Sequence, residues 1–160
     1  MNVCFAGLGG QGVITASDIL ADIAFQHGCD VKKAEVHGMS QRGGFVASEV
    51  RFGETVMSPM IPDGEVDYLV VMAPDQAAVM AERLKPDGIL INIADLDLTA
   101  LPNKKAANVA ILGALSRHLP FSTEEWFAAL KRRFPAHLYA VNQEAFCIGK
   151  GGRTCDRIME

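Results

Sequence analysis

A chain of 160 residues has the length of one domain that buries roughly 70% of the surface its unfolded form would expose. Hydrophobic residues at 49% and charged residues at 21% exclude a disordered chain. A net charge of −4 and no basic, aromatic-laced stripe argue against a nucleic-acid binder.

Asn2-Val3-Cys4-Phe5-Ala6 is a short apolar run that reads as a buried strand, and Gly7-Leu8-Gly9-Gly10-Gln11-Gly12 breaks it at once. From Val13 to Gln26 the spacing of Val13, Ala16, Leu20 and Ile23 predicts an amphipathic helix. The first N–H groups of a helix lack partners and carry partial positive charge, and glycines let an anion approach the main chain. Gly7, Gly9 and Gly12 fit the GxGxxG spacing, with Gly10 adding freedom. Alone, the pattern fits either an anion or a partner's backbone at this loop, or a tight strand-to-helix turn.

Residues 30–36 read as a second strand ending near Glu35, which stands 23 positions past Gly12. In dinucleotide-binding folds an acid at about that interval holds the ribose. The alternative is a polar strand end beside His37. His37-Gly38-Met39-Ser40-Gln41-Arg42-Gly43-Gly44 gathers donors between glycines, offering a guanidinium and neutral groups to a carboxylate or phosphate, or meeting solvent as a plain crossover. Residues 45–52 read as a strand, Gly53-Glu54 as a turn, and residues 55–57 as the returning arm of a hairpin.

Gly7-Leu8-Gly9-Gly10-Gln11-Gly12-Val13 and Val36-His37-Gly38-Met39-Ser40-Gln41-Arg42-Gly43-Gly44 together resemble the small, gamma-type subunits of the 2-oxoacid:ferredoxin oxidoreductases, in the form found in the indolepyruvate branch. The resemblance continues through Ser58-Pro59-Met60-Ile61-Pro62 and Gly64-Glu65-Val66-Asp67. It returns in Lys105-Ala106-Ala107-Asn108-Val109 and Leu112-Gly113-Ala114-Leu115.

Residues 67–73 form a nearly continuous apolar run, the mark of a central strand in a parallel sheet. Pro74 opens a helix through Leu84 that closes at Pro86-Asp87-Gly88, and residues 89–93 follow as another buried strand. Residues 94–103 read as loop. The family resembled here commonly carries an extra strand and helix before the segment corresponding to Lys105, and this chain has little room for them. Residues 106–119 predict a buried helix ended by Pro120. Ser122-Thr123-Glu124-Glu125 has capping-box spacing and opens a helix with Trp126, Phe127, Leu130 and Phe134. Residues 138–148 are amphipathic, and Gly149-Lys150-Gly151-Gly152-Arg153 reads as a frayed end.

The expected fold is α/β and Rossmann-like: a mostly parallel sheet, helices on both faces and one β-hairpin. The domain spans residues 1–149, with a tail at 150–160. Met1 leads directly into the first strand, leaving no room for a signal peptide, and no run approaches the roughly 20 apolar residues of a membrane span, so a cytoplasmic protein is expected. Cys4, Cys29, Cys147 and Cys155 lack metal-ligand spacing, so no metal is assigned to the chain.

The resemblance implies an accessory subunit of an enzyme that oxidatively decarboxylates an arylpyruvate such as indolepyruvate to an acyl-CoA. Thiamine diphosphate, Mg2+ and 4Fe–4S clusters would sit on a large alpha subunit, ferredoxin would be reached through the complex, and no cofactor would be bound by this chain alone. Loops after parallel strands share the carboxyl edge of a sheet. The expected rim is therefore Gly7, Gly9, Gly10, Gln11 and Gly12 with Ser40, Gln41, Arg42 and Gly43, shaping the partner's pocket or touching coenzyme A. His37 is the candidate proton carrier or orienting group; His27, His118 and His137 read as helix or surface residues. The other readings are a stand-alone dinucleotide-binding domain using Glu35, and a non-catalytic docking or regulatory paralogue.

Overall fold

The computed structural model describes residues 1–38 and 43–152. Its five strands are β1 (Asn2–Leu8), β2 (Asp30–His37), β3 (Phe45–Gly53), β4 (Val66–Val71) and β5 (Leu84–Asn92). The helices are α1 (Val13–Gln26), α2 (Ala77–Met80), α3 (Ala107–Ser116), α4 (Thr123–Arg133) and α5 (Ala136–Lys150). The strands form one sheet in the order β2-β3-β1-β4-β5.

The class is α/β, and "mostly parallel" needs refinement. β1, β4 and β5 pair in parallel, whereas β3 is antiparallel to both β1 and β2. Four strands therefore share a direction and β3 opposes them. The cause is loop length, since a parallel crossover needs a dozen or more residues and residues 38–44 between β2 and β3 are too few.

The hairpin is thus β2–β3, not the expected return at Gly53-Glu54. β3 already pairs with β1 on one edge and β2 on the other, leaving no edge for residues 55–57. Val56 instead donates its N–H to Asp30 Oδ2 at 2.9 Å and follows no ladder.

Alternation along the strands divides the core. Val3 and Phe5 of β1 face a large cluster with Val50 of β3, Val70 of β4 and the buried sides of α1, α3, α4 and α5. Cys4 and Ala6 face a smaller cluster with Ile61, Leu69, Val71 and Met80. Helices do cover both faces, but four stand on the first and only the single turn of α2 on the second. Trp126 and Phe146 stack with centroids 5.4 Å apart, joining α4 to α5. Arg132 crosses from the end of α4 to Asp22 of α1 at 2.7 Å. The capping box forms as read: Glu125 N–H donates to Ser122 Oγ and Ser122 N–H to Glu125 Oε2. α5 runs through Lys150 and ends on Gly151, whose φ of +109° suits only glycine.

The helix expected from Pro74 to Leu84 survives as α2 flanked by two 3-10 turns, and Leu84 already belongs to β5. β5 was expected to be buried; it lies at the sheet edge, with Ile89 and Leu90 37% and 39% exposed. An edge strand tolerates Pro86, which has no N–H to donate. Between β5 and α3 the chain makes only 3-10 turns, at Ile93–Asp95, Leu98–Ala100 and Lys104–Ala106, so no strand adds beyond β5.

Asp67 ties three parallel strands at their entry. Asn2 N–H donates to its Oδ2 at 2.6 Å and Lys85 Nζ pairs with Oδ1 at 2.6 Å. Burial favours the neutral acid, but the Lys85 hydrogen bond, the Asn2 N–H and the Lys85 charge outweigh it and hold Asp67 below the ordinary aspartate value. A depressed carboxylate contributes stability that is present above its unfolded pKa of about 4 and lost as pH falls through the folded value. Urea unfolding below about pH 4 is therefore expected to show declining stability, with a shallower decline in Asp67→Asn. Identical acid limbs for the two proteins would remove this clamp from the account.

Candidate functional site

β1 delivers its chain to the carboxyl edge of the sheet, where Gly9 and Gly10 turn it and Gly12 caps α1. Gly10 and Gly12 have φ of +92° and +82°, where L side chains are strained. α1 has no side-chain cap and no acid in its first turn, so its positive end is not neutralised locally.

The glycines differ in what they meet. A Cβ at Gly7 would lie 2.8 Å from both Gln11 Oε1 and Val13 Cγ2, and one at Gly12 would collide with the Asn108 side chain, so both serve close packing. Gly10 faces open space. Gln11 folds back, its Oε1 accepting the Leu8 N–H at 2.7 Å, so its carbonyl oxygen is committed to the turn.

The two glycine loops meet. Gly9 N–H donates to the Gly44 carbonyl at 2.8 Å, and a Cβ at Gly9 would lie 3.4 Å from the Gly43 nitrogen. Gly43 has φ of +65°. Of the second loop's expected site residues, Ser40, Gln41 and Arg42 lie outside the described residues. His37 stands at the end of β2 and shares a small cleft with Gly9, Gly38 and Gly43. Its Nε2 is 3.3 Å from Glu35 Oε2 and its side chain is largely exposed.

Glu35 does not stand where a ribose-binding acid would. β3 lies between β2 and β1, so the end of β2 is two strand spacings, about 10 Å, from the glycine turn. Its carboxylate pairs with Lys33 at 2.6 Å, and that hydrogen bond, then His37, holds it below the ordinary glutamate value. Lys33 in turn reaches Asp18 of α1 at 2.7 Å. The dinucleotide reading loses its acid because the β2–β3 hairpin displaces β2 from β1. Elsewhere, His27 pairs with Glu125 at 2.7 Å and the His118 ring lies 5.7 Å from Tyr68, both in packing roles.

On the other flank of Gly10 and Gln11 is a larger cleft of about 840 Å³, with Met72, Ile93 and Leu98 on its walls and Lys104, Lys105 and Asn108 at the start of α3. The sequence reading assigned no site role to these residues. The available signal was Lys105-Ala106-Ala107-Asn108-Val109, whose two polar members flank small residues at a helix start.

A family model for pyruvate ferredoxin/flavodoxin oxidoreductase matches residues 2–102. The indolepyruvate oxidoreductase subunit IorB of Thermococcus kodakarensis is 30% identical, over 92% of this chain and 93% of the relative. That alignment spans 188 residues against a chain of 160, so the relative carries segments this chain lacks. The solved pyruvate oxidoreductase subunit PORC of Thermotoga maritima matches with a TM-score of 0.76 at 22% identity, over 93% of this chain and 94% of that one. A 2-oxoglutarate:ferredoxin oxidoreductase from Magnetococcus marinus matches at 0.80 and 19% identity, over 94% of this chain and 30% of that one. These two structures bear on the fold alone.

Proposed function

The chain belongs to the pyruvate ferredoxin/flavodoxin oxidoreductase family, and from that premise we propose that it is the small accessory subunit of an indolepyruvate-type 2-oxoacid:ferredoxin oxidoreductase. Its partner is a large subunit carrying thiamine diphosphate, Mg2+ and the iron–sulfur clusters. The observation that carries this reading is the contact of Gly9 with Gly44, which joins two glycine loops into one rim at the carboxyl edge.

Among the described residues the donor set does not fit a cluster or a metal-bound thiamine. Burial pushes the Cys4 thiol up to about 12, far from the thiolate a cluster needs. Among the described residues no three His, Cys, Asp or Glu side chains gather at metal-binding distance. The chain's own contribution is a glycine rim whose backbone is open at Gly10 and Gly43, with Gly9 and Gly12 packed behind them and Ser40, Gln41 and Arg42 joined to it through the chain. That rim faces the partner's reaction centre, excluding water and orienting the substrate or a phosphate of coenzyme A. His37 serves there as a positioning group. No helix among the described residues is long and apolar enough to cross a membrane; we place the complex in the cytoplasm.

Coexpression with the large subunit tests the reading. Indolepyruvate-dependent dye reduction is expected only when both chains are present, and the two chains are expected to purify together. Arg42→Ala is expected to raise the KM for coenzyme A about tenfold, the usual scale of one lost charge-assisted contact. Full activity of the large subunit alone would overturn the assignment, and an unchanged coenzyme A dependence would remove Arg42 from the rim.

A further inference from the structure

The two faces of the sheet are covered unequally. Four helices stand on the face of Val3 and Phe5, whereas the face of Cys4 and Ala6 carries α2 and the segment of residues 58–63. Two side chains of β3 on that second face hold the segment in place. Glu49 accepts the Ile61 N–H at 2.8 Å, and Arg51 donates to the Ser58 carbonyl at 3.1 Å and the Met60 carbonyl at 2.7 Å. Arg83, just after α2, donates to the Ile61 carbonyl at 2.8 Å, which joins the helical turn and the segment into one thin layer.

This layer leaves apolar side chains in water. Met57 is 90% exposed, Val79 71% and Met60 57%, and Leu90, opposite Leu69 on the same face of the sheet, is also exposed. Apolar side chains gathered in one such patch mark a surface that another molecule covers.

Charge selects the occupant. Residues 54–87 hold seven acids and two bases, a net of −5 where the whole chain has −4, so the remainder is close to neutral. Both bases are engaged, Arg83 with Glu49 and Asp63, and Lys85 with Asp67 and Asp87. Asp63, Glu65, Asp75 and Glu82 stay exposed. An acidic layer repels a second copy of itself, a phosphate backbone and an anionic membrane alike. It attracts a protein surface with lysines or arginines around an apolar centre, the usual plan of an apolar interface core inside a polar rim. β1 and β4 are adjacent and parallel, so the glycine turn after β1 and Pro74 after β4 leave the sheet side by side, about 5 Å apart. The acidic layer therefore adjoins the glycine rim.

We propose that the α2 face is the docking surface for the large subunit, which meets it with a basic surface bearing apolar anchors. The inference rests on the subunit assignment above and deepens it: the rim serves the reaction centre, and the α2 face holds the chains together.

The test measures association of the two full chains by biolayer interferometry between about 50 and 500 mM salt. Raising the salt across that range is expected to weaken association at least about tenfold, chiefly through a slower on-rate. Glu82→Lys, at an exposed position, is expected to weaken it about tenfold at low salt. Glu144→Lys makes the same charge change at an exposed position of α5, on the opposite face, and should leave the Kd within about twofold. Val79→Ser combined with Met60→Ser should raise the off-rate about tenfold. These variants should keep the parent melting temperature and, with the small chain in saturating excess, the parent KM for coenzyme A, which separates them from Arg42→Ala. Association that ignores both Glu82→Lys and the two serine substitutions overturns this inference and leaves the subunit assignment standing. No association between the native chains at any salt concentration overturns both.

Discussion

Gly149→Ala is expected to lower the stability of the fold by about 3 kcal/mol or more, the upper range for forcing atoms into a packed core. α3 and α5 approach so closely that their backbones touch through glycines. A Cβ on Gly149 would fall on the Ala110 backbone, with the Ala110 Cα only 2.9 Å away. The reciprocal position is Gly113, where a Cβ would collide with the Phe146 carbonyl and lie 2.8 Å from the Lys150 nitrogen. In both cases the obstacle is main chain inside a helix, so no rotamer change relieves it and the helices must separate. Separation would loosen Phe146 from Trp126, both fully buried. For a domain of this size the melting temperature should fall by roughly 6–12 °C. Gly53→Ala is the control, since nothing lies within 4 Å of a Cβ there and the position needs no positive φ; it should stay within about 0.5 kcal/mol of the parent. Equal melting temperatures for Gly149→Ala and the control would show that the helices are not in backbone contact.

Removing the Glu49 carboxylate should cost a similar amount for an electrostatic reason. Glu49 is buried in β3, its Oε1 2.7 Å from Arg83 Nη1 and its Oε2 accepting the Ile61 N–H at 2.8 Å. Arg83 also donates to the Ile61 carbonyl at 2.8 Å, and its Nε lies 3.0 Å from Asp63 Oδ1 without hydrogen-bond alignment. Burial works against the guanidinium charge, but the Glu49 hydrogen bond and charge outweigh it and raise the Arg83 pKa further. Arg51 holds the same segment from the other side through the Ser58 and Met60 carbonyls. Glu49→Ala leaves a desolvated cation with only the exposed Asp63 beside it, for a loss of about 3 kcal/mol by urea unfolding. Arg83 keeps a side chain 21% exposed, which places the loss at the low end of the range for buried pairs. Glu49→Leu combined with Arg83→Leu should recover most of that loss, because an apolar pair removes both desolvation penalties. A single substitution costing under about 1 kcal/mol would show the pair to be solvent-screened.

Local sequence carried the strand, glycine turn and helix at residues 2–26, the capping box at Ser122 and the buried face of α3, since each rests on contacts within a few residues. The paired loops at Gly9 and Gly43 were legible as a pair only through their joint resemblance to a family, and their contact at 2.8 Å depends on both β1 and β2 ending at one edge. Periodicity missed the direction of β3, because a strand's pattern is the same whichever way it runs; the seven residues of loop decided it. The edge position of β5 was likewise invisible: its Ile-Leu-Ile run reads as core, and only the absence of a further strand among the described residues exposes it. Glu35 had the right interval from Gly12 and the wrong neighbour, since spacing counts residues while a ribose site needs distance across the sheet.

The sequence by itself determined an α/β chain with a glycine turn feeding a helix, and a membership readable from two motifs. Only the tertiary structure decided that Lys104, Lys105 and Asn108 close on Gly10 and Gly12 from nearly a hundred residues away. Such a meeting is fixed by how helices pack over a sheet, through contacts between segments that carry no trace of one another in their local residue patterns.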